Sequence, residues 1–571
     1  MNGKFLWNIA ESKFDEREIE NIIKIYPLPR AVALYLSARN INTKEKIEEY
    51  LKPRISLLTD PYILPGVKKA AERIWQAILK KEKILVFGDY DTDGVTATAL
   101  IYEILRAHGG IASFFLPHRF DDGYGMTVDS LKKALEENDV ALIITVDCGI
   151  SAVDAVSYAM EKKIDVIISD HHEPSPKIPS AFSVINPKLH INCRDLHILA
   201  GVGVAFKLAH GFMKYGRENL LCSDEYNLKR DLDLVALGTV ADLVPLTGEN
   251  RIMVSIGLKI LSEQLRPGIN ALCQVANIYD EVKASDITYS LSPRINAAGR
   301  LDKANIALNM LIERDRYKAG QYALEINQLN LKRQETEAII SHEAQAGICN
   351  LQDRSTIVVF GEGWNLGVIG IVASKFAREY NRPTIIFSID KERNLAYGSA
   401  RSVNDINILE ILSESSQFLE RFGGHAMAAG LTVKNSDLAN FIDSFEQSTK
   451  KKLSPDSIIP QINIDGIVSL AELNDSFFSY LPKLEPFGYG NSNPLFRINR
   501  LHVKNISPAG QNHSRGVLAD DFDREIQFIA FNKTIDEFKI SEYIDVAAIP
   551  QINNFRNNTY YQLQILDLKS S

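Results

Sequence analysis

Four short apolar runs in the first third of the chain restrict the fold more than any other feature. They read ILVFGD (84–89), IASFFLP (111–117), ALIITVD (141–147) and IDVIISD (164–170). Each has strand length and is rich in β-branched or aromatic residues. Between them lie TATALIYEILRAHG, SLKKALEEN and AVDAVSYAMEKK, whose apolar residues recur at helical spacing. That alternation predicts a parallel sheet with helices on its faces. A further strand at SVINPK and helical stretches at GVGVAFKLAHGFMKYG and DLDLVALGTVADL close this unit near residue 265.

The remainder changes character twice. A polar, helix-patterned lead of about fifty residues precedes the sheet, consistent with amphipathic spacing. Residues 303–348 are free of Pro and rich in Ala, Leu, Glu, Gln and Arg, so they read as one long helix linking two lobes. From STIVVFGEGWNLGVIG onward a second, smaller α/β unit is expected, ending in AYGSARS and RFGGHAMAAGLTV. The tail holds PLFRINRLHVKNI, EIQFIAFN, YIDVAAIP and YYQLQILDL, short alternating strands as in a small β-barrel. At roughly 100–200 residues per domain, 571 residues allow about three to five domains.

Composition excludes several classes. A 45% hydrophobic and 24% charged chain is neither disordered nor fibrous. The net charge of −8 announces no basic field for nucleic acid, although bound divalent cations would offset clustered acids. Five scattered cysteines without a CxxC pair argue against a zinc ribbon or a disulfide scaffold and fit a reducing, cytoplasmic setting. The N-terminus has no signal-peptide pattern, and nowhere do 18 apolar residues run together, so no membrane span is expected. GVGVAF at 201–206 lacks the GxGxxG spacing and no GxxxxGK[ST] occurs, so NAD and ATP are not indicated.

The chemistry gathers where the strands end. Asp89, Asp91 and Asp93 alternate just beyond the first run, and in extended chain alternate residues point to one side. Asp147 ends the third run, and Asp170, followed by His171 and His172, ends the fourth. Ligands of open parallel sheets bind beyond the carboxyl ends of the strands, so these acids should converge in one crevice. Unpaired carboxylates this close repel one another, which a bound divalent cation relieves. Aspartate oxygens with one or two His nitrogens and no thiolate suit Mn²⁺ or Mg²⁺. Two ions sharing a carboxylate serve phosphoester hydrolysis by activating water and stabilising the leaving oxygen.

Together with GDYDTDG (88–94), VDCG (146–149) and ALGTVADLVPL (236–246), the DHH at 170–172 resembles the DHH phosphoesterase superfamily. GSARS (398–402) and GGHAMAAG (423–430) resemble its associated substrate-binding domain, DHHA1. SPRINAAGRL (292–301), the helical connector and the terminal barrel resemble the RecJ single-strand DNA exonucleases. The resemblance spans nearly the whole chain, with its motifs in order. It implies an α/β fold: a parallel-sheet DHH domain joined by a long helix to a smaller α/β DHHA1 domain, then a C-terminal OB-fold barrel. The implied boundaries are a helical lead at 1–50, the DHH domain at 51–265, the connector at 266–348, DHHA1 at 349–452 and the OB fold at 453–571.

The resemblance also implies roles. Asp89, Asp91, Asp93, Asp147, His171 and Asp242 match the metal-binding set for two Mn²⁺ or Mg²⁺ ions, with Asp147 as the bridge. Asp170 supports them, and His172 faces phosphate; Asp89, Asp147 and His172 form the catalytic set. Arg119, Arg294, Arg300, Ser399, Arg401, Ser402 and His425, with His172, are the implied substrate-binding residues, since guanidinium forks suit phosphate. Where some relatives carry a ligating His, this chain has Phe87, so another group, such as Asp89, must serve, or one ion is held more weakly. The glycines at 423, 424 and 430 are either turn residues or places of close approach to phosphate. Phe496, Arg497, Arg500, Phe528, Tyr560 and Tyr561 are candidate strand contacts of the barrel, against core packing and surface solvation as the alternative. The implied activity is 5′-to-3′ hydrolysis of single-stranded DNA to 5′-mononucleotides in repair and recombination, with a single-strand-binding protein and a helicase as candidate partners. The alternatives are a DHH phosphodiesterase for short oligoribonucleotides or cyclic dinucleotides, and an inactive strand-binding replication scaffold.

Overall fold

The computed structural model describes residues 4–9, 16–118, 125–136, 139–222, 226–301, 304–348, 354–403, 406–453, 459–555 and 558–571. The N-terminal lead, expected to be helical throughout, begins with a short strand, β1 (Leu6–Ile9). Its partner lies far along the chain: β1 pairs in parallel with Gln461–Ile464. The Asp567 carboxylate fixes it by accepting from the backbone N–H of Lys4 and Phe5 and from the indole of Trp7. No local pattern could reveal so distant a partner. Among the described residues no helix is long and apolar enough to cross a membrane.

Two compact units form. One is built from Glu48–Asn330 with Lys483–Asn493, the other from Met1–Ile47, Leu331–Pro482 and Pro494–Ser571.

The first unit holds five parallel strands, β2 (Lys83–Gly88), β3 (Ile111–Phe115), β4 (Leu142–Val146), β5 (Asp165–Ser169) and β6 (Ser183–Ile185). Their order is β3-β2-β4-β5-β6. Alternate residues feed opposite layers. Ile84, Val86, Leu142, Ile144, Val146 and Ile167 enter one buried cluster, and Leu85, Phe87, Ile143, Val166 and Ile168 enter the other. A strand buried on both faces must be apolar at consecutive positions, which is why these runs read as continuous. Because β2 has β3 on one side and β4 on the other, the connections diverge between β2 and β4, opening a crevice beyond their carboxyl ends.

The expected single helix over 303–348 is two, Ala304–Ile312 and Arg316–Ala346. The break lies at polar residues that take up freed backbone donors. Glu313 accepts from the N–H of Arg314 and Asp315, and Asp315 accepts from that of Lys318.

In the second unit a mixed sheet contains β7 (Ile357–Glu362), β8 (Thr384–Asp390), β9 (Leu395–Arg401), β10 (Leu419–His425) and β11 (Ala428–Lys434), ordered β10-β11-β9-β8-β7. The same unit contains the barrel. Strands β12 (Phe496–Pro508), β13 (Ser514–Ala519), β14 (Glu525–Ala530), β15 (Ile544–Phe555) and β16 (Asn558–Ser570) form a ring in the order β12-β13-β14-β16-β15, with β14 and β16 parallel and β15 returning to β12 to close it. Phe496 and Phe528 are 0% and 2% exposed, so they belong to the barrel core rather than to a stacking surface. Tyr561 lies flat on Phe478 with ring centroids 3.9 Å apart. Arg497 pairs with Asp545 at 2.7 Å, and Arg500 pairs with Asp521 and lies over the Tyr543 ring. Of the six barrel candidates, Arg500 and Tyr560 keep exposed side chains.

Candidate metal centre

Asp89, Asp91, Asp93 and Asp147, from the ends of β2 and β4, gather with Asp242 in one cluster, but the chain gives each a different task. Asp91 caps the Thr92–Ala107 helix, its Oδ1 accepting from the N–H of Asp93 and Gly94. Asp93 spans to a helix distant in sequence, Gly201–Glu218, accepting there from the N–H of Gly201 and Val202 at 2.6 and 2.9 Å. Asp242 is the C-cap of the Leu232–Ala241 helix. Asp147 follows β4 with a left-handed φ of +59°, a conformation costing a residue with a Cβ roughly 1–2 kcal/mol. Gly201 permits the resulting approach, because a Cβ there would lie 2.3 Å from the Asp147 Oδ1. The signal for this role was the glycine at the helix start, which sequence reasoning had weighed only as a failed nucleotide motif.

Among the described residues Asp170 belongs to none of the clustered ligand sets. Its Oδ1 accepts from the N–H of His171 and of His172 and from His172 Nδ1, and its Oδ2 accepts from the N–H of Ile150. It therefore organises the loop. The two histidines diverge sharply. His171 Nδ1–H donates to the carbonyl of Leu199, leaving the Nε2 lone pair aimed at Asp147 Oδ1 (3.2 Å) and Asp242 Oδ2 (3.7 Å). Burial, with the charge of His172 next, pushes His171 down to about 3, so the ring is neutral. Burial would also lower His172, but the hydrogen bond and charge of Asp170 outweigh it and raise His172 to about 9. One histidine is a lone-pair donor and its neighbour a cation.

The carboxylates are strained electrostatically. Burial, then the charges of Asp93, Asp91, Asp89 and Asp242, hold Asp147 well above the usual range. Burial and the neighbouring acids raise Asp242 to about 9, and burial and Asp91 raise Asp93 to about 7. Asp147 Oδ1 and His171 Nε2 are both buried without a hydrogen-bond partner, and they face each other as two acceptors. With Asp147 ionised such an arrangement is repulsive, and a proton or a metal cation between the two atoms relieves it. Among the described residues, ligand atoms within 4.8 Å of one another occur in three sets: Asp93, His171 and Asp242; Asp89, Asp91 and Asp147; and Asp147, His171 and His172. The donor set, carboxylate oxygen with one neutral imidazole, fits Mn²⁺ or Mg²⁺. Phe87 stands apart, fully buried against Phe115 at 5.3 Å between centroids.

SPRINAAGRL braces this centre. Asn296 Oδ1 accepts from the N–H and hydroxyl of Thr92 while its amide donates to Ser292. Gly299 lies so near the carbonyl of Tyr90 that a Cβ would be 2.6 Å from it. Arg294, expected to bind substrate, turns inward instead: its nitrogens donate to Asn327 Oδ1 and to the carbonyls of Ser290 and Val275. An arginine inside a helix packing satisfies orphan carbonyls as readily as it binds phosphate. Arg300 is half-buried at the end of the Ser292–Arg300 helix. Arg119 lies outside the described residues.

The expected contacts in the second unit share one sheet. Ala428 pairs with Arg401 on one side and His425 on the other, so all three stand on one face. Ser399 lies two residues before Arg401 on that face, in a row with Gly430 and Gly423. A Cβ at either glycine would meet nothing within 4 Å. The glycines at 423, 424 and 430 are thus strand positions of a hairpin, and two of them floor an open platform. Arg401 is held by Ser374, Ser399 and the carbonyl of Ala400. Ser402 faces the other way, donating to the carbonyl of Ile406, and is 8% exposed; strand alternation turns it from the platform.

Comparison with known proteins places this geometry. The chain matches the DHH family, N-terminal domain, over residues 83–239, the DHHA1 domain over 353–451 and the RecJ OB domain over 464–567. It is 34% identical to the single-stranded-DNA-specific exonuclease RecJ of Bacillus subtilis, covering 99% of this chain and 71% of that one. To the Haemophilus influenzae RecJ it is also 34% identical, with coverage of 92% and 94%. The crystal structure of Thermus thermophilus RecJ in complex with Mn²⁺ superposes with a TM-score of 0.84 at 26% identity, over 99% of this chain and 79% of that one. With its three domains in order and its acids converging beyond a parallel sheet, the chain belongs to the RecJ family of single-stranded-DNA-specific exonucleases.

Proposed function

We propose that this chain degrades single-stranded DNA from its 5′ end, hydrolysing phosphodiester bonds to release 5′-mononucleotides, with two Mn²⁺ or Mg²⁺ ions held by the acid cluster. The carrying observation is the facing pair of orphaned acceptors, Asp147 Oδ1 and His171 Nε2. In this reading Asp93, Asp147, His171 and Asp242 hold one ion, and Asp89, Asp91 and Asp147 the other, with Asp89 serving in place of a ligand at Phe87. When bound, the pair supplies an activated water and positive charge to offset the leaving oxygen.

The chain's own groups do the rest. His172 stays protonated through its bond to Asp170 and presents Nε2–H to a non-bridging phosphate oxygen, where charge grows during attack. Asp170 is a positioning residue. Arg300 contacts the backbone near the cluster, and the platform of Ser399, Arg401 and His425 binds phosphate or sugar. Arg500 and Tyr560 on the barrel are its strand contacts. A phosphodiesterase for short oligonucleotides needs only the first two domains, and the matched RecJ OB domain favours the exonuclease over it. The intact acid cluster disfavours an inactive scaffold. We place the enzyme in the cytoplasm, in repair and recombination, working with a helicase and a single-strand-binding protein.

The test uses 5′- and 3′-labelled single strands and duplexes with each metal. The expected result is immediate release of the 5′ label as a mononucleotide from single strands, little action on blunt duplex, and none by Asp147→Ala. Undiminished cleavage by Asp147→Ala would reject the site, and 3′-first release would reject the polarity.

A further inference from the structure

Leu243 directly follows Asp242 at the end of the Leu232–Ala241 helix, with a left-handed φ of +57°. Glycine is the residue that ordinarily takes this place after a helix, because it has no Cβ to strain. A leucine there is strained, and the strain gains no packing, since its side chain is 59% exposed. The neighbouring carboxylate of Asp242 lies 3.7 Å from His171 Nε2, so this exposed apolar group stands beside the metal centre.

A second exposed apolar group is brought to the same turn. The 483–493 segment docks its backbone against residues 245–246: the N–H of Leu246 donates to the carbonyl of Tyr489 at 2.8 Å. Gly490 approaches Pro245 so closely that a Cβ would lie 2.8 Å from the proline Cβ. The Tyr489 side chain is 64% exposed. The backbone thus holds an exposed tyrosine against the segment that follows the exposed leucine and Asp242. Strained positions and exposed apolar groups concentrate where a ligand completes the packing.

We propose that Leu243 and Tyr489 contact the nucleobases flanking the phosphate under attack, Leu243 against the base face and Tyr489 stacking on its neighbour. The inference rests on the single-strand exonuclease reading and deepens it. Only unpaired bases expose the faces such a contact uses, and every base has one, so the contact selects for single strands without reading sequence. Leu243 and Tyr489 position the strand and take no part in proton transfer.

The experiment compares oligodeoxynucleotides carrying normal bases with the same strands bearing abasic residues at the first three positions of the attacked end. For the wild-type holoenzyme with Mn²⁺ we expect KM on the abasic strand to be about fivefold or more higher, from the loss of stacking. In Leu243→Gly and Tyr489→Ala, KM on normal strands should rise toward the abasic value, with kcat little changed, so that the abasic-to-normal ratio falls toward one. Leu243→Met should keep most of the wild-type ratio, and Leu243→Gly should melt no lower than wild type, because glycine relieves the strained backbone. A folded Leu243→Gly retaining the full wild-type ratio, or a wild type indifferent to abasic ends, would overturn the proposal. A wild type that degrades no single strand at all would instead remove the exonuclease reading, and this inference with it.

Discussion

The first unit contains two buried acid clusters at opposite ends of the same two helices. At one end Glu103, from the Thr92–Ala107 helix, and Asp231 and Asp233, from the start of the Leu232–Ala241 helix, surround Arg266. Arg314 adds a second cation on Glu103. At the other end stand Asp93 and Asp242, with Asp91 and Asp147. Among the described residues none of these four has a Lys or Arg partner, and Asp242 sits at the carboxyl terminus of its helix, where the dipole repels negative charge. The effect on protonation is graded accordingly. Asp231, beside Arg266, rises by burial only to about 6, whereas Asp242 rises to about 9. Where the chain supplies its own cation an acid cluster is structural; where it supplies none, an external ion must complete it.

The sharpest way to break this contrast is to remove one member from each end. Arg266→Ala leaves the buried Asp231 and Asp233 without a cation, with Arg314 still on Glu103, and should destabilise the protein by about 3–5 kcal/mol, read by chemical denaturation. Asp147→Ala should leave the metal-free protein as stable as wild type or more so, while hydrolysis falls to background. A destabilised metal-free Asp147→Ala, or a stable Arg266→Ala, would erase the distinction. Next in size is Asp170→Asn. It leaves the ion ligands in place but weakens the hold on His172, and should lower kcat about 10–100-fold while Mn²⁺ affinity changes little.

A smaller effect sharpens the comparison through pH. Asp93, Asp147 and Asp242 have folded pKa values above their unfolded ones, so the native state holds more protons. Their stabilisation of the metal-free protein is complete below about pH 4 and is lost as pH rises through about 7 and about 9. Bound Mn²⁺ replaces those protons. The Tm gain on adding Mn²⁺ to EDTA-treated protein should therefore widen between pH 6 and pH 8.5, and a gain independent of pH would count against the raised carboxylates.

What could be read in advance followed from period and topology. Continuous apolar runs mark doubly covered strands, and the carboxyl edge of a parallel sheet gathers whatever follows them, so Asp89, Asp147 and Asp170 were visible as a group. Asp91 and Asp93 were legible as acids, and a cap on the helix that follows at once, as Asp91 makes, is a local reading, but the bond of Asp93 to the helix that begins over a hundred residues later at Gly201 was not. Arg294 and Ser402 misled for the same reason. A motif position names a residue type suited to phosphate, while the direction of the side chain depends on packing with Asn327 and Ile406. The buried Phe496 and Phe528 show the ambiguity of aromatics in a barrel, where core and stacking surface alternate along one strand. Leu243 carried no signal at all, since its left-handed angle, which Leu220 shares, and its place beside Asp242 appear only in the fold.

The central claim is that Asp147 is shared by two ions drawn to acids the chain leaves uncompensated. Anomalous X-ray diffraction from crystals soaked in Mn²⁺ tests it most directly. The account predicts two manganese peaks, each within coordination distance of an Asp147 oxygen, one also at His171 Nε2 and the other at Asp89 and Asp91. Peaks absent from the crevice, or a single ion that leaves Asp147 unligated, would contradict it.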